Sequence, residues 1–181
     1  MISYLIIDHI VTALTEALIE YLPADDDARA GAVQAGPLQD DPDPEDARIS
    51  ITVHENDPDQ FTGADGLGHR HWSDEVYEVE CGGAITWMRR FTVKGRLLLE
   101  DTGETLAEAR QLAAEVRKKI EYTLLTLSFS GVVDSYGEYV SRGVTSEGLI
   151  GEMIQGGGPE AYEFRLKIYF DVLTTQTGDL Q

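Results

Sequence analysis

Along ITWMRRFTVKGRLLLE, the odd-numbered positions from Ile85 to Leu99 are apolar except for Arg89 and Gly95. A period of two predicts a strand with one buried face. After DTGE the spacing changes. Leu106, Ala109, Leu112, Val116, Ile120, Leu124 and Leu127 form one helical stripe, and Thr105 with Glu108 three residues on reads as a capping box. Ile6, Ile7, Ile10, Val11, Leu14, Leu18 and Leu22 predict a second amphipathic helix over residues 3–22, ended by Pro23. RISITVHE alternates as a half-buried strand, VYEVEC alternates again, VVDSYGEYV is a weaker strand, and AYEFRLKIYFDVL carries the clearest strand pattern of all.

The order is helix, three strands, helix, two strands. Hairpin-linked strands favour an antiparallel arrangement, so the expected class is α+β: a mainly antiparallel sheet of about four to five strands with two long helices packed on one face. The chain reads as a single domain over 1–181. The aperiodic acidic stretch 24–47, the Gly/Asp-rich stretch 55–75 and the Gly-rich stretch 141–160 are expected as loops, and residues 174–181 as a mobile polar tail. For the first hairpin, a three-residue loop Gly82–Ala84 keeps carboxylates off the apolar face. It sets Cys81 opposite Ile85, Val79 opposite Trp87 and Tyr77 opposite Arg89.

Charge narrows the functional classes. Thirty-three acids against fourteen bases give a net charge of −19, which argues against nucleic-acid binding through phosphates but suits a surface that DNA slides past. Asp8, Glu16 and Glu20 interrupt the apolar N-terminal stretch too often for a membrane span. Cys81 is alone, so neither an internal disulfide nor a cysteine zinc framework is expected. His69 and His71, with His54 and Cys81 as further candidates, do not supply a recognisable set of three or four converging ligands. They read as loop histidines, and no metal or cofactor is expected. No nucleophile elbow, phosphate loop or activated thiol is present, so the sequence makes no positive case for an enzyme.

Two segments suit protein contact instead. The sixteen residues from Ile85 to Glu100 would span roughly 53 Å, against a diameter of about 40 Å for a domain of this size. Either this strand bends, or its hairpin end projects and offers Tyr77, Trp87, Met88, Arg89 and Arg90, types enriched at interface centres. In SEGLIGEMIQGGG, the residues Leu149, Ile150, Met153 and Ile154 make a small apolar patch among glycines, expected as a loop that orders on a partner.

The N-terminal amphipathic helix, ISITVHE, the FTVKGRLLLE strand, the TLAEARQLAAEVRKKIEYTLL helix and the closing EFRLKIYFDVL strand together give an order of elements that resembles the tail terminator (tail-completion) proteins of long-tailed bacteriophages. The resemblance is one of pattern, covers most of the chain and contains no diagnostic motif. It implies a non-enzymatic virion protein of the neck region, made in the host cytoplasm. Such proteins form a ring, typically a homo-hexamer, that caps the tail tube and meets the head connector or stopper protein. An acidic lumen would let DNA pass without adhering. A head–tail adaptor or tail-tube subunit is the nearest alternative. A small metal-dependent enzyme and an acidic DNA mimic are more distant ones.

Overall fold

A computed structural model describes residues 2–36, 49–56, 76–79, 84–100, 105–158 and 161–177. Two strands form its spine. β4 (Ala84–Glu100) and β7 (Ala161–Thr177) pair antiparallel along their whole length, from Ala84 opposite Thr177 to Glu100 opposite Ala161. β2 (Ile49–Glu55) and β3 (Val76–Val79) lie end to end on the free side of β4, while β5 (Glu138–Arg142) and β6 (Ile150–Gly158) do the same beside β7. β1 (Val33–Ala35) adds a short parallel edge to β2.

The apolar period explains the core. Phe91, Val93, Leu97 and Leu99 of β4 and Phe164, Leu166, Ile168, Phe170 and Val172 of β7 are buried on one face. Against them lie Ile6, Ile10 and Leu14 of α1 (Ile2–Ala17) and Ala113, Val116, Ile120 and Leu124 of α3 (Leu106–Thr126), all in one cluster. Burying each large aliphatic side chain contributes about 1.5–3 kcal/mol. The Thr105–Glu108 capping box is formed at the start of α3, satisfying backbone donors that the helix leaves open. α1 stops five residues short of the expected end. Pro23 disfavours helix at the residue before it; Leu22 is extended, and the last turn tightens into a 3-10 helix at Ile19–Tyr21.

The expected α+β sheet of four to five strands carrying two long helices is overturned. The described residues form a mixed α/β fold with seven strands and three α-helices, one strand pair being parallel. The acidic stretch 24–47 contains a helix, α2 (Asp26–Ala32), capped by Asp25, and then β1. A three-residue strand is too short to show a period, and it exists here because β2 offers it an edge. The Gly-rich stretch expected as a loop holds β6, stabilised by nine register positions against β7. Nor is the tail loose from residue 174: Thr174 and Thr175 are buried within β7.

The hairpin register also differs. Val79 faces Ile85, Glu78 faces Thr86 and Val76 faces Trp87, with a shift between Val76 and Glu78. Alternation fixes which residues share a face, but a slip of two leaves that unchanged. Cys81 and the loop glycines lie outside the described residues.

Candidate functional site

The structure separates the five residues expected at a projecting tip. Arg89 lies on the odd-numbered row of β4 and is drawn into a polar cluster. Its guanidinium donates to Glu138 at 2.9 Å, to Glu55 at 3.2 Å, to the Thr174 hydroxyl at 3.3 Å and to Ser3 at 3.4 Å. The Thr174 hydroxyl donates in turn to Glu138. Arg90, on the other face, makes a two-pronged pair with Asp171 at 2.7 and 2.9 Å, the geometry that gives guanidinium–carboxylate contacts their strength. Trp87 and Met88 are half-buried, opposite Thr174 and Leu173. Tyr77 belongs to β3. Nor does this end of β4 stand alone, since β3 and β5 flank the β4–β7 pair there.

The second group divides differently. Leu149 and Met153 pack against the core, whereas Ile150 and Ile154 are 52% and 64% exposed on the opposite face of β6. Among the described residues no strand pairs with the outer edge of β6. Glu152 is its one charged residue and it contains no proline, so charge and proline do little to blunt this edge. α3 touches this edge at two points. Arg117 donates to the Gly151 carbonyl at 3.0 Å while holding Glu121, and Arg110 donates to Gln155. A Cβ at Gly151 would sit 2.7 Å from the Glu121 carboxylate and 3.0 Å from the Arg117 guanidinium, so a side chain here would displace the ends of these two flexible side chains.

On the outside of the helix layer a groove of about 880 Å³ runs between α1 and α3, lined by Ala13, Ala17, Tyr21, Tyr122 and Leu127, with Glu16, Glu115, Lys118 and Lys119 among its rim charges. Tyr122 is 68% exposed in it.

Sequence reasoning missed the chemistry of the sheet face opposite the core. Across β2, β4, β7 and β6 its rows read Ser50–Arg96–Arg165–Ile154, Thr52–Lys94–Lys167–Glu152 and His54–Thr92–Tyr169–Ile150. Four cations thus form a two-by-two block, each facing a like charge on the neighbouring strand. Glu163 accepts from Arg96 at 2.8 Å and from Arg165 at 3.0 Å. Burial opposes its ionisation, but Arg165 and Arg96 together hold its carboxyl below the ordinary range. Beside the block, Ser50, Thr52, His54 and Thr92 are all buried. The pairs VKGR and RLK, each with two cations spaced by two, were the available signal. Their opposition depends on a register that sequence does not print.

His54 is the histidine of this face. Burial, then the Lys94 and Lys167 ammonium groups, lower its pKa from 6.5 to about 4. Asn56 works the other way, yet neither ring nitrogen meets a partner at hydrogen-bonding geometry. Because the unfolded chain takes up this proton near pH 6.5 and the folded one only near 4, the neutral ring's contribution is complete above about pH 6.5. It is lost as pH falls from 6.5 to 4, by about 3 kcal/mol in all. Urea unfolding at pH 7 and pH 4 should therefore lose about that much less stability in His54→Gln than in the parent; equal losses would contradict the assignment.

Among the described residues no group of three or more His, Cys, Asp or Glu side chains is placed to hold a metal ion. His69, His71 and Cys81 lie outside those residues. No described helix is long and apolar enough to cross a membrane. No family model and no curated protein matches the sequence.

Proposed function

We propose that this chain is a structural subunit of a phage neck: a tail terminator whose copies close into a ring, typically of six, that caps the tail tube and joins it to the head connector. The observation that carries the reading is a pair of unlike exposed apolar surfaces on one subunit. One is the outward face of the edge strand β6, with exposed Ile150 and Ile154; the other is the groove between α1 and α3. Unlike surfaces that meet head to tail generate rings when the rotation closes, whereas a two-fold dimer needs one self-complementary patch. The net charge of −19 suits a lumen through which DNA moves without sticking.

Electron microscopy of particles carrying a labelled copy tests this directly. The label is expected at the junction of head and tail; label along the tube, or in the capsid shell, rejects the proposal. A variant with Ile150→Glu and Ile154→Glu together changes two exposed positions, so its stability should stay within about 0.5 kcal/mol per site. It should leave heads and tails unjoined. Normal joining by the folded variant would remove β6 from the interface.

A further inference from the structure

The groove and the β6 face lie on opposite sides of the molecule. α1 and α3 cover one face of the sheet, and the groove opens on the far side of that helix layer. Ile150 and Ile154 stand on the other face of the sheet. The two surfaces cannot meet within one chain, so each subunit presents one of each to its neighbours. Their shapes also differ. Ile150, Glu152 and Ile154 are all exposed and form a ridge along β6, with the two isoleucines about 13 Å apart at the strand rise. The groove is hollowed at Ala13 and Ala17, and α3 lines it from Glu115 to Thr126, about 17 Å at the helical rise. It is long enough to take the ridge. Charge then sets an orientation. Glu152 lies directly opposite Lys167 of β7, so an acid and a base stand side by side on this face. The groove carries the reverse order: exposed Glu16 on the α1 wall and exposed Lys118 on the α3 wall, while Lys119 is held by Glu20.

We infer that the groove between α1 and α3 takes the β6 ridge of a second copy of this chain, with Glu152 against Lys118 and Lys167 against Glu16. This contact rests on the reading of the two surfaces as ring contacts, and names which one meets which. Two-fold alternatives fit less well. Ridge on ridge, centred on Glu152, sets two carboxylates together; groove on groove joins two hollows with no side chain to fill them. Removing the two isoleucines from water supplies affinity, while the complementary charges fix register and reject the reversed orientation. The contact is heterologous, so it leaves a groove open at one end of any growing chain of subunits until a ring closes.

A charge swap on the full-length chain tests the contact, read by sedimentation over a range of concentrations. The parent should associate reversibly and grow past the dimer. Lys118→Glu and Glu152→Lys, each alone, should weaken association by about tenfold or more. Lys118→Glu changes an exposed helix position and should melt within about 2 °C of the parent, which separates a lost contact from a lost fold. The two substitutions in one chain should restore association to within about threefold of the parent, because the reversed charges face each other again. Mixing the two single variants should restore it as well, since each supplies the wall or ridge that suits the other. A parent that stays monomeric at every concentration, a Glu152→Lys variant that associates normally, or a double variant no better than the singles overturns the inference. Its failure is distinct from failure of the neck reading. A label at the head–tail junction without rescue by the swap keeps the neck and removes this contact; rescue with the label elsewhere keeps the contact and removes the neck.

Discussion

Arg89→Ala should destabilise the fold by about 3–5 kcal/mol, the cost of removing one partner from a buried ion pair. Its side chain is 16% exposed, and that of Glu138, its closest partner, 10%. Glu55 and Thr174 bond to the same guanidinium. Alanine would leave Glu138 inside the protein with only the Thr174 hydroxyl among its present side-chain donors, and Glu55 without its arginine. Four elements meet in this cluster: α1 through Ser3, β2 through Glu55, β5 through Glu138 and β7 through Thr174. The loss should therefore appear as global unfolding in urea rather than fraying of one strand. A double-mutant cycle with Glu138→Ala separates pair from penalty. The double variant should be less destabilised than the sum of the singles, because each single strands the other's partner. Additive losses, or a cost below about 1 kcal/mol for Arg89→Ala, would show a cluster solvated enough to need no partner. Any assembly defect in an Arg89 variant must accordingly be checked against its fold before it is read as a lost interface.

Phe91→Ala should cost a similar amount, about 3–5 kcal/mol, for a different reason. Phe91 and Phe170 are directly opposite on the two central strands, both fully buried, with ring centroids 5.6 Å apart and planes inclined by 17°. Truncation removes the transfer free energy of a ring and leaves a cavity where two long strands cannot collapse toward each other without disturbing their register. Phe91→Leu refills most of the space and should cost markedly less. The check is the midpoint of denaturant unfolding at constant slope, since a change in slope would signal an altered denatured or native state. Equal costs for alanine and leucine would mean that lost ring stacking, not the cavity, dominates.

Periodicity made the long elements legible. β4, β7 and α3 each repeat their pattern often enough for the buried face to be read directly, and α1 is missed only in its last turn. What stayed hidden depends on partners distant in sequence. β1 is three residues that become a strand because β2 is beside them. β6 looked too rich in glycine for independent structure, yet Gly151 is where Arg117 and Glu121 come close. α2 had a local signal, an Asp25 cap with Asp26 and Asp27 in the first turn and Arg29 near the last, which complements the helix dipole but was masked by the overall acid load. Arg89 interrupts an apolar row, and from the sequence alone that interruption looks like an exposed tip. Its reason is a pair of carboxylates contributed by β2 and β5. The cationic block was half visible, as two spaced pairs, and became a constellation only once β4 and β7 were aligned.

The β4–β7 pairing also decides when this chain can fold. Each position of β4 waits for a partner far along the chain, and both β5 and β6 use β7 as their principal partner while preceding it in order of synthesis. A nascent chain that has emerged only as far as Gly158 therefore holds α1, α3 and β2–β4 beside two strands without their main partner. High contact order of this kind slows folding and prolongs the exposure of unpaired edges. The ribosome must deliver β7 before the sheet can close, so chaperone demand should fall on the interval just before that strand appears.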